Sequence, residues 1–234
     1  MDRPLLEIIG LHAADAERAE AGGADRIELV GTMEFDGLSP EPGLVEQVCA
    51  ATSLPVRVML RLREGFGTDG GEATRLVGLA RSYEDAGASG LVFGFLNAHS
   101  EIDRSVITTL AQATDLPWTF HRAVDATLDS DRAWRLLPRL GCDQVLTAGS
   151  ARGVEEGLDD LIARANQDPT VARLIMAGGG LQTDHVPWLM RAGITAFHLG
   201  SRVRPTASWK AYVDDELVAM WRKLLDATHR KLGG

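Results

Sequence analysis

The chain of 234 residues repeats one local pattern from end to end: a short apolar run, a turn, then an amphipathic stretch. The residues themselves do not repeat. Apolar runs of this length bounded by turn residues are read as buried strands, and the stretches of helical period between them as helices, so the pattern is that of successive β-α units. The strand candidates are PLLEIIG (4–10), RIELVG (26–31), PVRVMLR (55–61), GLVFGF (90–95), PWTFHR (117–122), QVLTAG (144–149), RLIMAGG (173–179) and AFHLGS (196–201). Gly22, Gly23, Gly87, Gly141 and Gly193 each stand just ahead of a strand, where a residue in the left-handed region turns the chain back from a helix. Eight parallel units in about 230 residues predict an α/β fold, the closed (β/α)8 TIM barrel. An open doubly wound sheet is the alternative. No linker rich in Gly, Ser or Pro divides the chain, which predicts a single domain over 1–234.

Charge and composition narrow the partners. A formal net charge of -9 argues against nucleic acid and against an anionic membrane, because a polyanion is repelled over most of such a surface. The opening MDRPLLEIIG has no basic region leading into a long apolar stretch, and no apolar run approaches a membrane-spanning length, so a cytoplasmic protein is expected. The two cysteines, Cys49 and Cys142, lie far apart and outside any CxxC spacing, which excludes a disulfide framework and a four-thiolate zinc site.

A barrel of this kind carries its active site at the carboxyl ends of the strands, so polar residues there are the candidates. TFHRAVDAT (119–127) ends an apolar run with His121 and Arg122 and adds Asp125 three residues later. Glu7 interrupts LLEIIG and Glu28 interrupts RIELVG, Arg61 closes PVRVMLR, Thr147 closes QVLT, and His198 sits in AFHLGS. An unpaired carboxylate inside an apolar run costs several kcal/mol, about 2–7 for a neutral polar group and more for a charge, so these residues converge either on a ligand site or on a buried ion-pair network. In the first case His121 faces the ligand, Arg122 bridges to a neighbouring carboxylate and Asp125 sits at the loop or helix start, orienting one of them or capping the helix; Glu28 is expected to pair with a buried arginine. A second signal lies in the glycines. Gly178, Gly179 and Gly180 follow the seventh strand, with Thr183 and Asp184 as possible caps of the next helix, and Gly200, Ser201 and Arg202 follow the eighth. Loops seven and eight of many barrels hold a substrate phosphate on backbone N–H groups, and glycine admits the anion closely.

The stretches LLEI, AEAGGADRIEL (19–29), FDGLSPEPG (35–43), PVRVMLRLREG, GLVFGFLNAHSEID, PWTFHRAVDAT, LGCDQVLTAG, MAGGGL and FHLGSR resemble, in order, the motifs of the CutC copper homeostasis protein family. The resemblance implies a cytoplasmic (β/α)8 barrel assembled as a homo-oligomer and a link to copper as a possible bound metal. It carries over Glu7, Glu28, Arg61, His121, Arg122, Asp125 and His198 as site positions. It also marks a departure: relatives commonly have cysteines at the ends of the first two strands, in patterns like LEVC and IELC, where Ile9 and Val30 stand here. Cu(I) prefers thiolate and thioether ligands, and Cys49 on a helix and Cys142 ahead of the sixth strand do not replace them. Two functions follow as alternatives. One is a copper-handling protein in which His121, His198 and a glutamate act as harder ligands. The other is an enzyme or sensor for a small anionic, possibly phosphorylated, metabolite with no role in copper binding, in which the glycine loops and Arg61 or Arg122 hold the anion and His121 or a glutamate transfers protons.

Overall fold

The computed structural model describes residues 3–233. The eight strands are β1 (Leu5–Gly10), β2 (Arg26–Leu29), β3 (Val56–Met59), β4 (Gly90–Phe93), β5 (Trp118–Phe120), β6 (Gln144–Thr147), β7 (Ile175–Ala177) and β8 (Ala196–Leu199). They are parallel and close in sequence order, with β1 pairing both β2 and β8. Outside them lie α1 (Ala13–Ala21), α2 (Pro42–Ala51), α3 (Gly70–Asp85), α4 (Arg104–Ala111), α5 (Ser130–Leu136), α6 (Val154–Gln167), α7 (Pro169–Leu174), α8 (Val186–Arg191) and α9 (Asp215–Leu232). The fold is therefore the closed TIM barrel. None of the helices among the described residues is long and apolar enough to cross a membrane.

Local chemistry starts and stops these elements. Asp69, Asp103, Asp129, Asp168 and Asp214 each cap a helix by accepting from a backbone N–H of its first turn, a contact that stabilises a helix by about 1 kcal/mol. Gly23, Gly87, Gly141 and Gly193 have φ of +88°, +94°, +88° and +92° in the turns that lead back to the next strand. Gly22 does not share that conformation. It is required instead by packing, since a Cβ there would lie 2.5 Å from Val218.

The strands are shorter than the apolar runs that mark them, mostly at the mouth. Residues such as His121, Gly178 and Gly200 extend the runs past the last strand pair, because loops take over there. At the other end of the seventh run, α7 claims Arg173 and Leu174, so β7 begins only at Ile175. Between β5 and β6 the chain forms α5 followed by a short 3-10 turn over Leu137–Arg139.

The main core lies between the strands and the helix ring, but the barrel interior is unusually charged. Glu7 and Arg26 are neighbours in register and form an ion pair. Arg57 crosses the lower interior to Thr119 (2.6 Å) and Asp143 (2.7 Å). Leu146, Met176 and Ala196 fill the remaining interior beside them.

Candidate functional site

The carboxyl ends of the strands surround a cavity of about 470 Å³. Its lining includes Glu28, Arg61, His121, Arg122, Asp125, His198, Gly179, Gly180, Gly200, Ser201 and Arg202, so most of the polar positions singled out in the sequence meet at one mouth. Glu7 is not among them. It is wholly buried one level below, where the side-chain alternation of β1 places it under Ile9. Thr147 points away from the barrel axis instead, and its hydroxyl holds Asp125 at 2.5 Å.

His198 links the two levels. Its Nδ1 lies 2.8 Å from Glu7 Oε1 and its Nε2 lies 3.3 Å from Glu28 Oε2. Burial opposes charge on this ring, yet the two carboxylates raise its pKa above the ordinary histidine value. Glu28 is driven in the other sense: burial, aided by the nearby Glu7 carboxylate and only partly offset by His198, raises it to about 7. Glu7 is itself penalised by burial but held low by Arg26 and His198. Burial thus favours the neutral form of Glu28, while the two carboxylates favour the charged form of His198 and Arg26 holds Glu7 as the anion behind them. Glu28 Oε1 has no hydrogen-bond partner among the described residues.

Glu28 was expected to pair with a buried arginine, and the structure corrects this. Arg57 is its register neighbour on β3, but the guanidinium runs down to Asp143 and Thr119. Arg26 takes Glu7. The histidine is the group that faces Glu28.

His121 caps the 3-10 turn Arg122–Ala126, its Nδ1 accepting from Ala123 N–H at 3.2 Å. That bond fixes the proton on Nε2, which has no partner among the described residues although the residue is only 3% exposed. Burial, with Arg61 and Arg122 nearby, lowers its pKa to about 3, so the ring is neutral. Arg122 pairs with Asp125 at 2.9 Å and reaches the Ser150 carbonyl at 3.0 Å. Asp125 also accepts from Ala148 N–H at 2.9 Å, so these residues join the loops after β5 and β6. Arg61 spends its donors on carbonyls of Phe35, Gly37, Arg63 and Gly65, tying the loops after β2 and β3 together.

The glycines divide by role. Gly178 N–H donates to Thr147 at 3.1 Å, and a Cβ at 178 would sit 2.9 Å from His198 Cβ; this residue makes room for the histidine. Gly200 makes room for Trp209 and Ile9. The N–H groups of Gly179, Gly180, Leu181, Ser201 and Arg202 have no protein acceptor among the described residues. All five residues line the cavity. The capping expected from Thr183 or Asp184 is not what the structure shows: Gln182 precedes the turn, its N–H donating to His185 Nδ1 at 3.1 Å, and a 3-10 turn over Thr183–His185 leads directly into α8.

Several lining residues carry no sequence signal of their own. Met33 and Met59 read as ordinary apolar positions, and Trp209 lies past the last strand in an irregular stretch. The buried pair that holds that stretch, Arg204 with Asp15 at 2.9 Å, spans 189 residues. A metal-like grouping is present in Glu7, Glu28 and His198, whose ligand atoms lie within 4.8 Å of one another.

The chain matches the family model described as the CutC family over residues 5–203. It is 36% identical over 199 residues to a family protein CutC of Klebsiella pneumoniae, covering 83% of this chain and 78% of the relative. It is 35% identical over 201 residues to the human copper homeostasis protein cutC homolog, covering 85% and 73%. The crystal structure of CutC from Streptococcus agalactiae superposes with a TM-score of 0.73 at 25% identity, covering 84% of this chain and 98% of that one. With the same motifs on the same barrel, the chain belongs to the CutC family.

Proposed function

We propose that the barrel mouth binds a small anionic metabolite and moves a proton on it. The observation that carries this reading is the joint placement of unengaged backbone donors and unpartnered buried groups in one cavity. Five N–H groups from the loops after β7 and β8 have no protein acceptor among the described residues, and Glu28 Oε1 and His121 Nε2 have no partner either. Buried polar atoms are normally satisfied, so atoms left open around a cavity are suited to a ligand that satisfies them. The donors suit a phosphate or carboxylate, and Arg202, with no ion pair among the described residues, adds charge on the same side. Glu28, with its pKa near 7, is matched to giving or taking a proton at neutral pH, and His198 relays charge to Glu7 behind it. His121 Nε2–H would donate to a developing negative charge.

Phosphate is expected to raise the melting temperature of the protein relative to chloride at equal ionic strength, by mass action on the folded state. Arg202→Ala should shrink that difference. Equal shifts with both anions would overturn the reading.

Copper handling is the second reading, favoured by the names of the relatives and by the Glu7, Glu28 and His198 grouping. The donor set does not fit Cu(I). Both His198 nitrogens face carboxylates, Glu7 is held by Arg26, and the cavity lining contains no cysteine. The soft donors that reach it are the thioethers of Met33 and Met59. Competition against a Cu(I) chelator under reducing conditions is expected to show no tightly held ion. One tightly held ion that is lost in Met59→Leu would instead favour copper.

A further inference from the structure

The cavity has a second half that the anion site does not use. Ile9 on β1, Val30 at the end of β2 and Met59 on β3 form, with Leu11 and Val92, an apolar cluster separate from the main core. Met33 and Trp209 pack against it. Ile9, Val30, Met33, Met59 and Trp209 line the same cavity as the open amides. The mouth is therefore uneven: Ile9, Val30, Met59 and Trp209 supply an apolar patch, the loops after β7 and β8 supply backbone donors, and Glu28, Arg61 and His121 line the same cavity.

The two halves meet at Gly200. A Cβ there would lie 2.5 Å from Trp209 Cη2 and 2.9 Å from Ile9 Cδ1, so the absence of a side chain seats the indole directly beside Ser201 and Arg202. The indole is also fixed from behind. The Arg204 guanidinium lies 5.1 Å from its ring centroid and is itself locked by Asp15. An aromatic wall anchored by a buried ion pair is a preformed surface rather than a loose side chain.

We infer that the ligand is an anion, such as a phosphomonoester, joined through a very short link to a hydrocarbon or aromatic body that lies against Ile9, Val30, Met59 and Trp209; this rests on the anion reading above. A sugar phosphate laid against these four side chains is a poor fit. Its hydroxyl groups would leave water to face side chains that, the Trp209 indole N–H apart, offer no strong hydrogen-bonding group, and such groups are costly to bury unpaired. A planar ring or short alkyl group gains by the same burial.

Calorimetric titration of the full chain with phenyl phosphate, inorganic phosphate and glucose 6-phosphate tests this. Phenyl phosphate is expected to bind at least about 30-fold more tightly than inorganic phosphate, the factor given by burying most of one ring. Glucose 6-phosphate is expected to bind no more tightly than inorganic phosphate. Met59→Gln and Trp209→Ala, made separately so that a folding failure in one leaves the other, should each cut the phenyl advantage at least about fivefold while leaving inorganic phosphate unchanged. Glucose 6-phosphate matching phenyl phosphate, or a phenyl advantage that survives in both variants, would overturn the apolar-body inference and leave the anion site standing. Failure of all three ligands to bind would overturn the anion reading and this inference with it.

Discussion

The lower interior of the barrel and its mouth are built from the same residue types and treat them in opposite ways. Below, the charges are matched: Glu7 with Arg26, Arg57 with Asp143 and Thr119. Above, Glu28 Oε1 and His121 Nε2 are equally buried and have no partner among the described residues. His198 is the boundary, with one nitrogen on each carboxylate. The lower network closes on itself, whereas the upper one is left open beside the cavity. The difference teaches that burial and charge alone do not separate the two regions; completeness of pairing does, and the proposed function rests on that incompleteness.

The largest effect that separates the two regions is expected from Arg26→Ala. It strands the wholly buried Glu7, and breaking such a pair costs about 3–5 kcal/mol. Denaturant unfolding measures it, and a loss below about 1 kcal/mol would erase the contrast between closed and open networks.

Glu28→Gln should behave differently and with a definite pH signature. The folded pKa of Glu28 is raised to about 7, above its ordinary value of 4.5, so its contribution to stability is present below pH 4.5 and is lost as pH rises through 7. The amide does not titrate. The variant should therefore gain on the native protein across this window, by about 1–3 kcal/mol, and the gap should stay constant above it. Unfolding curves at pH 5 and pH 8 give the sign directly.

Gly179→Ala sharpens the comparison at the loop after β7. Position 179 has φ of +92°, and an added Cβ would lie 2.8 Å from Arg122 Nη1. A cost of about 1–2 kcal/mol is expected, with weaker phosphate binding as the loop shifts. The smallest stability effect belongs to His121→Asn, because asparagine also caps a turn; within about 1 kcal/mol at neutral pH is expected. Since the folded pKa of His121 is lowered to about 3, its contribution is present above pH 6.5 and lost as pH falls toward 3. The variant should gain on the native protein only in that acid window, while its ligand binding weakens at all pH values. Unfolding as severe as a core deletion would make His121 a structural residue.

The fold was legible because its signals are local. Strand runs, helix periods, aspartate caps and turn glycines each depend on a few adjacent residues, and eight repeats of that grammar leave few architectures. Proximity to the mouth was legible for the same reason, since His121, Gly179 and Arg202 stand at the ends of their runs. Which charge meets which was decided only in the closed barrel. Strand stagger sets Glu7 beside Arg26 and His198, and Glu28 beside Arg57, yet Arg57 turns downward because Asp143 and Thr119 wait there. The apolar wall is decided the same way: Trp209 reaches it only because Arg204 binds Asp15 from the far end of the chain and Gly200 leaves the space. Local sequence determines the element and its direction, whereas partner choice is a competition among groups brought together by register, and register is a property of the whole sheet.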